Sequence, residues 1–289
     1  MSLLINTLLD RVKTEFELPG IIWEDIKLSS SDIKFLKDEC SKESEFDPTN
    51  RRKQMLEGLL SGKAPIGAAK CEYGQIAVVF ESMDQIPEMP WDLWGRILRM
   101  FYEKTRKPFK VFLLAKKDLR VFPPKSEPIM PININGGYTY RCNPETIMIY
   151  RAEDATRVLI HELQHSCCLD RDKHDLDEKE AETEAWAELF YVAILSKGKK
   201  FIFNDLLRRQ SEWMIKQNKK VKQHMNNPDS REFPWRYTIG KEEIWERWGI
   251  LSIDFMTPYI DVGNSLRLTF PPNNMLKLRF NVSRASVIL

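Results

Sequence analysis

A chain of 289 residues that is 43% hydrophobic and 30% charged has the balance of a folded protein with a sizeable core, which excludes a disordered reading. Its formal net charge of +2 selects no class of partner, and no run approaches the roughly 18 apolar residues of a membrane span. The five cysteines are odd in number, irregularly spaced and without a CxxC pair, which excludes a secreted disulfide framework and a structural zinc cluster.

Met1 to Gly20 sets Leu3, Leu4, Leu8, Leu9 and Val12 on one stripe among charges. This is an amphipathic helix rather than a signal peptide, which points to a cytoplasmic protein. Ile33, Phe35 and Leu36, then Met55, Leu56, Leu59 and Leu60, predict two further helices, separated by a break at Asp47 to Asn50. Gln75 to Phe80 predicts a strand, and Trp91, Trp94, Ile97, Leu98 and Phe101 recur at helical spacing. Phe109 to Ala115, the extended segment Asn135-Gly136-Gly137-Tyr138-Thr139-Tyr140 and Thr146 to Tyr150 complete a strand, helix, three-strand order. A helix then opens near Glu153 or Asp154, acids that suit a helix N-terminus. Asp175 to Leu195, Phe203 to Asn226 and Gly240 to Trp248 predict helices. The tail, Leu266, Leu268, Phe270 and Leu276, Leu278, Phe280 around Pro271 to Asn274, predicts a β-hairpin.

The helix after Asp154 carries His161-Glu162-Leu163-Gln164-His165. Two histidines four apart project from one helical face and can bind one ion, zinc being the metal that favours such nitrogen donors. Glu162 points toward the same space, where it can take a proton from an activated water and hand it to a leaving amine. A catalytic zinc needs a third protein donor. A metzincin pattern would require a glycine and a histidine where Cys168 and Arg171 stand, and the spacing of His174 fits no pattern. A glutamate on a following helix does fit: eighteen residues separate His165 from Glu184, giving HExxH-x18-E, with Glu180 and Glu188 as rivals on the same helix. The adjacent Cys167 and Cys168 are expected to be buried small apolar residues rather than ligands.

His161, Glu162, His165 and Glu184 resemble the gluzincin arrangement of thermolysin-like proteases and related aminopeptidases, although the usual Gly-x-Met-x-Asn segment of the latter is missing. The resemblance implies zinc as cofactor, Glu188 one turn beyond the ligand as the carboxylate that orients a zinc histidine, and a peptide or protein substrate. The segment from Asn135 to Glu188 is also similar to metallopeptidase-like proteins of large DNA viruses, which adds virion association as a second possible location.

An oxyanion donor is expected near the metal. Arg236, Tyr237, His224 and His174 are the candidates, Tyr237 first among them, against the alternative of a packed tyrosine after Pro234-Trp235. The glycine pair near Tyr138 suits either a substrate-pairing edge strand or a bulge. Nine Lys or Arg between Lys197 and Gln223 suggest a solvated helix face rather than a nucleic-acid track. The expected fold is α+β and zincin-like, a small mixed sheet with the motif helix, packed on a mainly helical second part. Residues 1–70 form a helical N-terminal extension, 71–170 the sheet and HExxH helix, 171–260 the helical part with the third ligand, and 261–289 the hairpin. The expected activity is zinc-dependent peptide hydrolysis; the alternative is a metallopeptidase-like scaffold or virion protein without activity.

Overall fold

The computed structural model describes residues 3–170, 175–227, 230–251 and 260–271. In chain order the elements are α1 (Leu3–Glu17), β1 (Glu24–Asp25), α2 (Ser30–Ser41), α3 (Arg51–Leu60), β2 (Ile66–Cys71), β3 (Gly74–Phe80), α4 (Trp91–Thr105), β4 (Phe109–Ala115), α5 (Pro131–Ile134), β5 (Gly137–Tyr138), β6 (Ile147–Ile149), α6 (Ala155–Ser166), α7 (Leu176–Leu195), α8 (Lys200–Val221) and α9 (Ile239–Arg247). Short 3-10 helices lie at Met83–Glu88, Lys222–His224 and Trp235–Tyr237. The fold is α+β, and no helix among the described residues is long and apolar enough to cross a membrane.

Two compact units divide the chain. The first, Pro19–Asp118 with Asn135–Leu169, holds a six-stranded mixed sheet in the order β1-β2-β3-β4-β6-β5. β3, β4 and β6 run parallel, while β1, β2 and β3 pair antiparallel, as do β5 and β6. The near-continuous apolar runs of β3 and β4 explain their central place, because parallel strands are covered on both faces. A parallel pair also needs a crossover, which α4 supplies with Trp91, Trp94, Ile97, Leu98 and Phe101 all buried. Leu36 and Cys40 of α2 and Met55 and Leu56 of α3 share one core with Ala77, Val79, Phe112, Leu114 and Met148 of the sheet. The alternating Ile76, Val78, Val111 and Leu113 are buried on the opposite face.

Residues 19–70 are therefore built into the sheet unit, which differs from the separate helical extension expected for 1–70. Apart from Ile66, β2 has no β-branched residue and little strand propensity. A two-residue turn at Glu72 and Tyr73 nonetheless pairs it with β3 at every position from Ile66↔Val79 to Cys71↔Gly74, and that pairing overrides propensity.

The second unit comprises Met1–Leu18, Leu119–Ile134 and the described part of Asp170–Leu278. Its centre is α7, buried on nearly every side from Ala181 onward and in contact with α1, α8 and α9. Gly198, with φ 70, makes the sharp turn into α8, where a side chain would strike the α1 backbone at Leu9 and Lys13. The first arm of the expected hairpin differs from a strand. Leu266, Leu268 and Phe270 are buried, but among the described residues their segment makes only an isolated bridge, Val121↔Ser265. Side chains of α8 and α9 take the place of a partner strand: Trp213 Nε1 and Gln217 Nε2 donate to the Arg267 carbonyl, and Gln210 Nε2 and Lys241 Nζ to that of Leu268. The second arm lies outside the described residues.

Candidate metal centre

The motif helix α6 lies in the sheet unit. Its apolar residues Val158, Leu159, Ile160 and Leu163 are buried, which fixes the helix against its surroundings and presents the histidine face. Asp154 occupies the N-cap position in a left-handed conformation, without a side-chain cap hydrogen bond. Instead, Trp94 Nε1 of α4 donates to Thr156 Oγ1 at 2.8 Å and ties the first turn down.

His161 and His165 converge. Their Nε2 atoms lie 2.9 Å apart and their ring centroids 4.7 Å apart, at 71°. The 2.9 Å separation is shorter than twice a Zn–N bond of roughly 2.0–2.1 Å, so both nitrogens can reach one ion. His161 is buried and His165 half-buried. Glu162, only 5% exposed, stands beside β5: a Cβ built on Gly137 would lie 3.2 Å from Glu162 Oε1 and 2.6 Å from Val158 Cγ1. Gly137 is thus the residue that lets strand and helix approach this closely. β5 is an edge strand of the sheet, paired through Gly137↔Ile149 and Tyr138↔Met148.

A polar network that the sequence did not flag holds that edge. Tyr138 Oη donates to Glu39 Oε2 at 2.7 Å, Tyr140 Oη to Glu39 Oε1 at 3.1 Å, and Arg52 Nη1 to Tyr138 Oη at 3.0 Å. Burial works to raise the Glu39 pKa, but hydrogen bonds from Lys42, Tyr138 and Tyr140 outweigh it and hold the carboxyl below its ordinary value. Burial pushes the Tyr138 phenol up, so it remains a donor. The available signal was helical phase: Asp32, Leu36, Glu39 and Cys40 share the buried face of α2, and an acid on an apolar stripe needs partners.

The cysteines depart from expectation. Cys168 is exposed and bonded to Cys142, while Cys167 is half-buried with its thiol pushed up to about 11 by burial. Cys168 lies just past the end of α6 with φ 55, outside the apolar face that would have buried it.

Glu184, Glu188 and Tyr237 lie in the helical unit. On α7 the acids sort by burial: Glu184 (2% exposed) and Glu188 (0%) are enclosed, whereas Glu178, Glu180 and Glu182 are half-buried. Glu188 accepts from Lys241 Nζ at 2.9 Å and Thr269 Oγ1 at 2.8 Å, a fully buried charged cluster. Tyr237 is half-buried, its ring 5.2 Å from that of Phe233, and Arg236 pairs with Asp177 at 2.6 Å. His224 stacks on Phe122 and hydrogen-bonds the Glu127 carbonyl. His174 lies outside the described residues. In the basic stretch, Arg208 and Arg209 pair with Asp205 and Lys216 with Glu212, so part of its charge is balanced within α8.

No protein-family model matches the chain, and no curated protein and no solved structure matches it significantly.

Proposed function

We propose that this chain is a zinc-dependent peptidase of zincin-like architecture, with His161 and His165 as metal ligands and Glu162 as general base. One observation carries the reading: two histidines a helical turn apart bring their Nε2 atoms to 2.9 Å, with a buried carboxylate immediately after the first. The third donor is a carboxylate of α7. Glu184 has the gluzincin spacing and the burial of a ligand, and Glu180, one turn earlier, is the alternative. Glu188, one helical turn beyond Glu184, is assigned to orienting a zinc histidine. Tyr237 is assigned to the oxyanion.

Bound zinc supplies Lewis acidity and brings the pKa of water toward ~7. The Glu162 carboxylate accepts a proton from the attacking water, then returns it to the amine nitrogen as the peptide C–N bond breaks. The edge strand β5 offers backbone groups to which an extended peptide can pair.

The test is Glu162→Gln, which preserves size and removes the basic oxygen. Zinc content should stay at the wild-type level, while hydrolysis of a mixed peptide library, read by mass spectrometry, should fall by roughly 10²–10⁴-fold. Identical products at similar rates from both proteins would sink the mechanism.

A further inference from the structure

The end of the motif helix is tied to the sheet edge by a covalent bond. Cys142, in the turn that follows β5, and Cys168, just past α6, are joined across a sequence separation of 26, with Cα atoms 4.8 Å apart. Both residues are exposed. Both donate their backbone N–H to the same acceptor, the carbonyl oxygen of His165, at 3.0 Å and 3.1 Å. Both also hold left-handed backbone conformations, with φ 62 and φ 55, which a non-glycine residue adopts only when its surroundings enforce it. Three bonds, one covalent and two hydrogen bonds, therefore converge on the last turn of α6. That turn carries His165.

We infer that the Cys142–Cys168 bridge is a thiol-exchange site, and that its redox state sets how firmly the last turn of α6, and with it His165, is held to the β5–β6 turn. The reductant class is a small thiol or a protein dithiol able to reach an exposed sulfur. A thiolate of the reductant attacks one bridge sulfur, the S–S bond breaks, and the other protein sulfur leaves as a thiolate that takes a proton from water. A second thiol attacks the resulting mixed disulfide and frees the other cysteine. Two electrons pass to the protein, two thiols become one disulfide, and the process reverses with an oxidised thiol. Once the bridge opens, the two amides at His165 lose the cross-link that keeps them together, and the left-handed residues can relax.

The consequence for metal rests on the zinc reading above; the consequence for the helix end does not, and the experiment separates them. Full-length protein is purified oxidised, the bridge is located by non-reducing peptide mapping, and the folded protein is treated with millimolar glutathione. Glutathione should open the bridge without loss of the far-ultraviolet circular dichroism. In metal-free protein, hydrogen exchange in peptides covering 139–143 and 163–169 should accelerate roughly tenfold or more, while β3 and β4 stay protected. Zinc affinity, measured by chelator competition after reduction with a phosphine, should weaken by roughly 10–100-fold, the size of effect expected when a ligand's support is lost. Cys142→Ser should behave as the reduced form in either buffer, and Cys167→Ser as wild type. A bridge absent from the map, one that glutathione leaves intact in the folded protein, or exchange unchanged on reduction would overturn the inference. Faster exchange with no zinc bound in either state would support the clamp and remove the zinc reading alone.

Discussion

Replacing Gly137 with alanine tests whether the gap between strand β5 and helix α6 governs both packing and the position of Glu162. The added methyl would stand 2.6 Å from Val158 Cγ1, 3.0 Å from the Met148 carbonyl oxygen and 3.2 Å from Glu162 Oε1. The carbonyl is fixed by the β5–β6 register, so Val158 and Glu162 must yield. Overpacking of this kind costs about 1–3 kcal/mol, and the smaller entropy of an unfolded alanine offsets roughly 0.4–1 kcal/mol of it, leaving a net loss of about 1–2 kcal/mol. A shift of 1 Å in a catalytic group can cost ~10²-fold, so by log-linear scaling a displacement of about 0.3 Å at Glu162 predicts roughly fourfold slower peptide hydrolysis. Urea unfolding of Gly137→Ala, Val158→Ala and the double variant measures the first quantity. Removing the nearest clashing atom should make the double variant about 1 kcal/mol more stable than the sum of the single effects. Single effects that simply add, together with wild-type hydrolysis by Gly137→Ala, would refute the reasoning.

Zinc content, about one ion per chain in the wild type, should drop when Glu184 becomes Ala and persist when Glu182 becomes Ala, because only the former is proposed as a donor. Loss in Glu180→Ala with retention in Glu184→Ala would instead identify Glu180, and equal content in all three variants would remove α7 from the site. Glu188→Ala should lower zinc affinity by roughly 10–100-fold and also leave Lys241 buried without its carboxylate, costing about 3–5 kcal/mol in chemical denaturation. Adding Lys241→Met should recover much of that stability, and a fully stable Glu188→Ala protein would contradict the role given to the ion pair. Glu39 binds its proton more weakly when folded than when unfolded, so it contributes stability above its ordinary value of 4.5 that is lost as pH falls through the lower folded value. Glu39→Gln should therefore flatten the loss of stability below pH 4.5, and parallel acid limbs for variant and wild type would show that the network does not carry that linkage.

Elements with a strong period or a long apolar run were legible before any coordinates. The stripe of α4, the runs of β3 and β4 and the motif helix α6 occur where hydrophobic spacing indicates. Local pattern failed where a distant partner decides conformation. β2 is a strand because β3 offers it a full ladder, and the segment from Leu266 to Phe270 is not one because side chains of α8 and α9 satisfy its carbonyls. The same holds within the candidate site. His161, Glu162 and His165 could be grouped from spacing alone, whereas Glu39 and Tyr138 are 99 residues apart and meet only through the fold. The pairing of Cys142 with Cys168, rather than with Cys167, depends on which residue follows the last helical turn, which spacing does not encode.

The interleaving of the two units along the chain has a consequence for biosynthesis. The chain passes from one unit to the other after Leu18, Asp118, Ile134 and Leu169, so neither unit is a contiguous stretch that truncation could isolate. As the ribosome extends the chain, the sheet unit has all six strands of its described sheet once Ile149 has emerged and its disulfide partners once Cys168 has. The helical unit must wait much longer. Residues 119–134, made early, meet His224 and Ser265 only much later, and α1 meets α7 once α7 is made. High sequence separation between contacting segments slows folding and prolongs exposure of apolar surface. The stripe of Ile5, Leu9 and Val12 on α1, buried in the finished protein, therefore stays without its α7 contacts until more than half of the chain has been made.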